Sequence, residues 1–282
     1  MDLRATIANY SATIDQTWFD LDKLNVLVAL VILSALILYF IYHARRGKAL
    51  FVRRIPGLES VEEAIGRATE LGKPILYVSG INGAGDVATI AAMNILGYVA
   101  EQVAHYDTDL LVPCIDPVVM TIEQELVKHS YTRAGRPENY KEDNICYLTG
   151  EQFPYAMAVS GMMVREKPAA NFFMGAFAAE SLILAEAGAA TGAIQIAGTS
   201  AEHQVPFFIV ACDYTLIGEE LFAASAYLSR EPLLLGCLKG QDYAKLVIIV
   251  ALLAGIALLT ADAFLPGQFS QWFVNLFASA GG

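Results

Sequence analysis

The stretch PILYVSGINGAGD, residues 74–86, decides the fold. Residues 74–79 form a short apolar run that reads as a buried strand, and residues 80–85 form a glycine-rich loop. Asp86 has the side chain of a helix N-cap, and the apolar pattern beyond it predicts a helix running to about Tyr106. The same order of strand, turn and capped helix then repeats. Residues 109–115 predict a second strand. Asp116 and Pro117 supply an N-cap and a first-position proline for a helix ending near Ala134 and Gly135. Residues 144–148 predict a third strand, and Thr149 with Gln152 predicts the cap of a helix lasting to about Val164. Upstream, Ser60 and Glu63 have capping-box spacing, and Gly72 suits the end of that helix.

Past residue 168 the pattern changes. Residues 169–190 are rich in alanine and predict one long small-residue helix, followed by Gly192. Strands are predicted at 193–197 and 207–212, joined by a polar loop holding Glu202 and His203, and Thr215 is the expected cap of a helix over 216–229. That final strand pair is open to parallel or antiparallel pairing. Strands alternating with helices of this length predict an α/β unit, Rossmann-like, with a mostly parallel sheet covered by helices.

Two apolar spans flank this unit. Residues 24–44 carry no charge, nor do residues 246–261, and Ala263, Phe264 and Leu265 extend the second span past Asp262. At ~1.5 Å per residue the first is long enough for a bilayer core of ~30 Å. Arg45, Arg46, Lys48, Arg53 and Arg54 follow the first span, and Lys239 and Lys245 precede the second. Positive charge stays on the cytoplasmic side, so the expected order is an extracytoplasmic segment (1–23), a retained anchor (24–44), a cytoplasmic α/β domain (45–241), a second transmembrane helix (245–265) and an extracytoplasmic tail (266–282). The basic collar of Arg45, Arg46 and Lys48 is expected at lipid headgroups. Trp272 and Phe273 of the tail are expected on an interfacial helix.

Residues 56–241 hold 23 Asp or Glu against 10 Lys or Arg, a balance of −13. Such a surface repels phosphate backbones and excludes nucleic acid as a partner. Cys114, Cys146, Cys212 and Cys237 are isolated, with no CxxC spacing, and read as buried free thiols. His43, His105 and His129 sit near predicted helix ends, which leaves His203 as the loop histidine. No HExxH or paired-cysteine metal signature is present, and no cofactor is implied.

RRIPGLES at 53–60, AANFFMGAF at 169–177, GAATGAIQIAGT at 188–199 and FFIVACDYTLIGEEL at 207–221 resemble a family of bacterial membrane proteins catalogued only as a domain of unknown function. The resemblance covers most of residues 50–245. It implies a cytoplasmic domain joined to spans of the bacterial inner membrane, and it assigns no activity and no site residues.

The carboxyl ends of the expected strands gather Gly80, Gly83, Gly85, Asp86, Asp116, Thr149 and Asp213. In an open α/β sheet this edge binds ligands, so these residues are candidates for a nucleotide or metabolite crevice. The glycine spacing is GxxGxG with no lysine after it, and Asp86 puts a carboxylate where a phosphate belongs, which favours caps and tight turns. Glu180 and Glu186 lie in the alanine-rich segment, six residues or about 600° of helical rotation apart. An ion site, a contact with Arg165, Lys167 or Arg230, and plain solvent exposure are all open for them, the last being favoured.

Gly175, Ala178 and Ala179, with Phe173 and Glu180, would let that segment approach a second copy closely, and they are the candidate oligomer interface. Packing against the membrane spans is the other use of so much apolar surface. The chain is thus expected to be a membrane-anchored homo-oligomeric scaffold, with an enzymatic role left open but not favoured, and with itself, the bilayer and another membrane complex as candidate partners. A membrane-tethered sensor or enzyme with a crevice at the strand ends is the alternative. A transport role would need several copies, because two spans cannot enclose a pathway.

Overall fold

A computed structural model describes residues 24–46 and 56–264. The expectations for residues 1–23, for Lys48, Arg53 and Arg54, and for Trp272 and Phe273 lie outside the described residues. The chain divides into two compact units, one built on Phe51–Glu231 and the other on the two flanking segments.

The first unit is a six-stranded, wholly parallel sheet. Its strands are β1 (Ile75–Val78), β2 (Leu110–Cys114), β3 (Ile145–Tyr147), β4 (Ala170–Met174), β5 (Ile194–Thr199) and β6 (Tyr214–Ile217). They lie in the order β3-β2-β1-β4-β5-β6, the doubly wound order in which the chain reverses direction across the sheet between β1 and β4. Both of those central strands are buried along their whole length, as the apolar runs ILYV and NFFM require of a sheet covered on two faces.

Helices α2 (Pro56–Leu71), α3 (Val87–Tyr106), α4 (Pro117–Arg133) and α8 (Glu219–Ser229) pack with Ile75 and Tyr77 of β1 in one hydrophobic core. Helices α5 (Gln152–Glu166), α6 (Glu180–Thr191) and α7 (Val205–Ala211) pack with Leu76 and Val78 in the other. The alternation of side chains along each strand thus divides the unit into three layers.

Four sequence expectations are corrected. The long helix over 169–190 does not form: β4 occupies its first part, and α6 begins only at Glu180. The run NFFM is aromatic and fully buried, and Gly175 at φ 121° ends it, so burial in the sheet overrides the alanine-rich surroundings. Residues 207–212 lie largely in helix α7, with Pro206 in its first turn, because a short apolar run has no period to separate strand from helix. Residues 214–217 are strand β6, and α8 starts after Gly218, whose φ is 58°. β6 pairs parallel to β5, which settles the pairing left open. Finally, Ser60 is buried inside α2, which begins at Pro56, so it is no N-cap.

The second unit consists of α1 (Leu24–Arg45) and α9 (Pro232–Phe264). They pack antiparallel, with Gly236 against Ile41 and Gly240 against Ile37. A Cβ on Gly236 would lie 2.6 Å from the Cα of Ile41, and one on Gly240 would lie 2.8 Å from the Cα of Ile37. The motif is GxxxG, read here as GCLKG at 236–240, and it lets two backbones touch. The rings of Phe40 and Tyr243 stack at 4.7 Å beside it.

Among the described residues, three helices are long and apolar enough to cross a membrane: α1, α3 and α9. Two-thirds of α3 is buried within the sheet unit, which accounts for its apolar composition, whereas α1 and α9 leave their side chains outward.

Candidate functional site

Loops after β1 and β4 meet at the point where the strand order reverses. Gly80 has φ 86°, and a Cβ there would sit 2.5 Å from the carbonyl oxygen of Ala176. Gly175 is its counterpart: a Cβ would sit 2.5 Å from the carbonyl oxygen of Ser79. The Ile81 N–H donates to the Ala176 oxygen at 2.9 Å. These glycines therefore let one loop backbone seat on the other, which is the space a bound phosphate chain would need.

The two aspartates of the edge are also spent on their own helices. At α4, the Asp116 carboxylate accepts from the N–H groups of Val118 (2.6 Å) and Val119 (3.1 Å). At α3, Asp86 accepts from the Ala88 N–H at 3.3 Å and from the Asn82 amide at 2.7 Å. Each carboxylate stands where an anion would otherwise bind a helix N-terminus. A Cβ on Gly83 would lie 3.5 Å from Asp116 Oδ2, and one on Gly85 would meet open space. Thr149 Oγ1 accepts from the Glu151 N–H at 3.3 Å, two residues before the N-cap position, which Glu151 holds, so Thr149 is not the cap expected of it.

Asp213 is not at this edge. It precedes β6, where its carboxylate accepts from the Gln195 N–H at 2.8 Å at the start of β5, so it belongs to the amino end of the sheet. The expected strand at 207–212 would have put it at the carboxyl end. That strand is α7, and the polarity reverses.

The interface residues expected in the alanine-rich segment are also displaced. Phe173 and Gly175 are buried in and beside β4, and Glu180 is buried at the first position of α6, so none of the three is offered to a partner. The Glu180 carboxylate accepts from the Ala178 N–H at 2.8 Å and from the Gln152 amide. This corrects the expectation that it faces solvent. Ala179 and Glu186 are exposed.

A buried polar cluster was missed in the sequence. Ser79 at the end of β1, Cys114 at the end of β2 and Glu123 of α4 converge in the interior, each nearly inaccessible. The Cys114 thiol donates to Glu123 Oε2 at 3.1 Å, and Ser79 lies close to this carboxyl group. Glu123 Oε1 has no partner among the described residues. Burial pushes Glu123 up to about 7, against the lowering effect of the Cys114 thiol and of Ser79 beside it. The same burial, with Glu123 beside it, pushes the Cys114 thiol well up and disfavours its thiolate. The one signal in the sequence is spacing: Glu123 occupies the i+4 place between the buried Val119 and Val127.

Residues 14–270 match the family described as Domain of unknown function (DUF6754). The chain belongs to this family. It matches no curated protein and no solved structure. The match takes in both units, so α1, the sheet unit and α9 form one family architecture.

One more surface stands out within the sheet unit. The outward positions of α5 are Phe153, Pro154, Met157, Ala158, Gly161 and Val164, and its charges come only at Arg165 and Glu166. Next to it, α6 exposes Leu182, Ala189 and Ala190, with Glu186 as its exposed charge, and α7 exposes Phe207, Ile209 and Val210. In the opposite layer α2 presents Glu62, Glu63, Arg67 and Glu70 to solvent, while α3 and α4 expose Val87, Ile90, Val118 and Ile122 among polar neighbours such as Glu125 and Lys128.

Proposed function

We propose that this protein is a membrane-anchored scaffold of the bacterial inner membrane that acts by associating with copies of itself. In this reading α1 and α9 cross the bilayer, and the sheet unit faces the cytoplasm, held there by Arg45, Arg46, Lys48, Arg53 and Arg54 after the first span and by Lys239 and Lys245 before the second. α9 has 33 residues, about 50 Å at ~1.5 Å each, so its uncharged part over 246–261 lies in the hydrocarbon and its first turns stand in the cytoplasm.

The observation that carries this reading is the closed carboxyl edge. The ligand-binding place of a doubly wound sheet is here filled by the chain's own parts: Gly80 and Gly175 seat the two loops on each other, and Asp86 and Asp116 occupy the helix N-termini. A nucleotide or metabolite would have to displace all of them. The test is the mass of the full-length protein extracted in mild detergent, measured particle by particle by mass photometry. A particle of many copies is expected, and a particle of one chain with a small molecule at the β1–β4 edge would replace this reading with the sensor or enzyme alternative.

A further inference from the structure

Resting on that reading, we infer that the outer face of α5, α6 and α7 is the surface through which two copies of this chain associate. The face is continuous, since α5 packs on α6 and α6 on α7. It presents Phe153, Met157 and Val164 from α5, Leu182 from α6, and Ile209 and Val210 from α7, with Val210 89 % exposed. Exposed apolar side chains so grouped cost solvation free energy until something covers them.

Charge selects the occupant. The region from 56 to 241 carries a balance of −13, so two copies repel each other wherever acidic surfaces would meet. Within these three helices the exposed charges are Arg165 and Glu166, which pair with each other at 2.7 Å, and Glu186, with Glu151, Lys167 and Glu202 at the helix ends. Two like-charged copies can approach here at the least electrostatic cost. A basic partner would instead be drawn to the acidic α2 layer. An anionic leaflet calls for lysine and arginine along the rim of an interfacial helix, and here the rim offers Arg165, already paired with Glu166, and Lys167 at the α5 C-cap, against the exposed Glu151, Glu186 and Glu202.

Size and texture fit as well. α5 has 15 residues, and a face of about 22 Å by three helix widths of ~9 Å covers on the order of 600 Å² in plan. A standard interface takes about 800 Å² of accessible surface per partner. Ala158, Gly161, Ala189 and Ala190 are small exposed positions between the large ones, which permits ridges of one copy to enter the grooves of the next. Copies tethered in one membrane in one orientation also meet at high effective concentration.

The experiment compares wild type, Met157→Glu with Val164→Glu, and Leu182→Glu alone, each full-length in mild detergent, by mass photometry, with melting temperature as the check of folding. Glu63→Lys on the opposite layer is the control. The inference expects the two α5–α6 variants to lose at least half of the wild-type particle mass at an unchanged melting temperature, and the control to keep it. Variants that keep the wild-type mass would overturn the inference and leave the scaffold reading standing. A wild type of one chain per particle would overturn both. Amide-exchange protection of α5 in nanodiscs holding a single chain would put lipid on this face and also overturn the inference.

Discussion

The thiol of Cys114 donates to Oε2 of Glu123 at 3.1 Å in the interior of the sheet unit, while Oε1 of the same carboxyl group has no partner among the described residues. A carboxylate in that position has lost water on both oxygens and regained bonds on only one. The ionised form is therefore penalised, and the group is held up at about 7 by its burial. The titratable groups around it are Cys114 and Tyr77, and Tyr155 from the other layer, all pushed upward themselves by burial, and among the described residues no neighbouring cation offsets the charge.

The consequence is a pH dependence of stability with a defined sign. A carboxyl group whose folded value is raised from 4.5 to about 7 favours the fold fully below about 4.5, and that contribution is lost as pH rises through 7. Thermal melts should show the sheet unit less stable at pH 8 than at pH 5, by an amount on the order of 3 kcal/mol at most. Glu123→Gln should flatten that profile and raise the melting temperature at pH 8 while changing little at pH 5. Parallel profiles for the two proteins would contradict the account of this cluster.

The two caps differ in strength. Asp116 satisfies two N–H groups, at 2.6 and 3.1 Å, and Asp86 satisfies one, at 3.3 Å. Removing a cap costs about 1 kcal/mol, up to about 2. Asp116→Ala should therefore lower the denaturant midpoint more than Asp86→Ala does. The reverse order would mean that the glycine loop needs Asp86 for something other than capping.

Glycines of the edge separate into required and replaceable. Gly80→Ala and Gly175→Ala each combine a positive φ with a Cβ 2.5 Å from a backbone oxygen that has nowhere to move. Each should cost several kcal/mol or prevent folding. Gly85→Ala meets open space at an ordinary φ and should change stability by less than about 1 kcal/mol. Expression and melting temperature of the three variants decide this directly.

In the helix pair, Gly236→Ala and Gly240→Ala would each place a Cβ within 3 Å of the α1 backbone. The helices must then separate, at a cost of about 1–3 kcal/mol each, and the stacked rings of Phe40 and Tyr243 lose their 4.7 Å contact. A melt of the detergent-extracted protein should show the loss. Wild-type stability of both variants would mean that α1 and α9 do not pack through this motif.

Where local chemistry and tertiary burial agree, the fold was legible in the sequence. Asp86 and Asp116 with Pro117 mark the starts of α3 and α4, and β1 to β3 fall where the apolar runs put them. Legibility failed where composition and burial diverge. The aromatic run at the core of β4 sits among alanines, and α7 and β6 are too short to show a period. Asp213 was misplaced because the element before it was misread, and polarity passes from one element to the next. Glu123 and the GCLKG motif of residues 236–240 share another difficulty: each takes its meaning from a partner distant in sequence, Cys114 and Ser79 in one case, Ile37 and Ile41 in the other.

The most direct test of self-association is made in the membrane. The full-length chain, carrying one fluorophore per copy, would be expressed at low density and its photobleaching steps counted spot by spot. The scaffold account predicts several steps per spot, falling toward one in Met157→Glu with Val164→Glu. One step per spot in the wild type would contradict it.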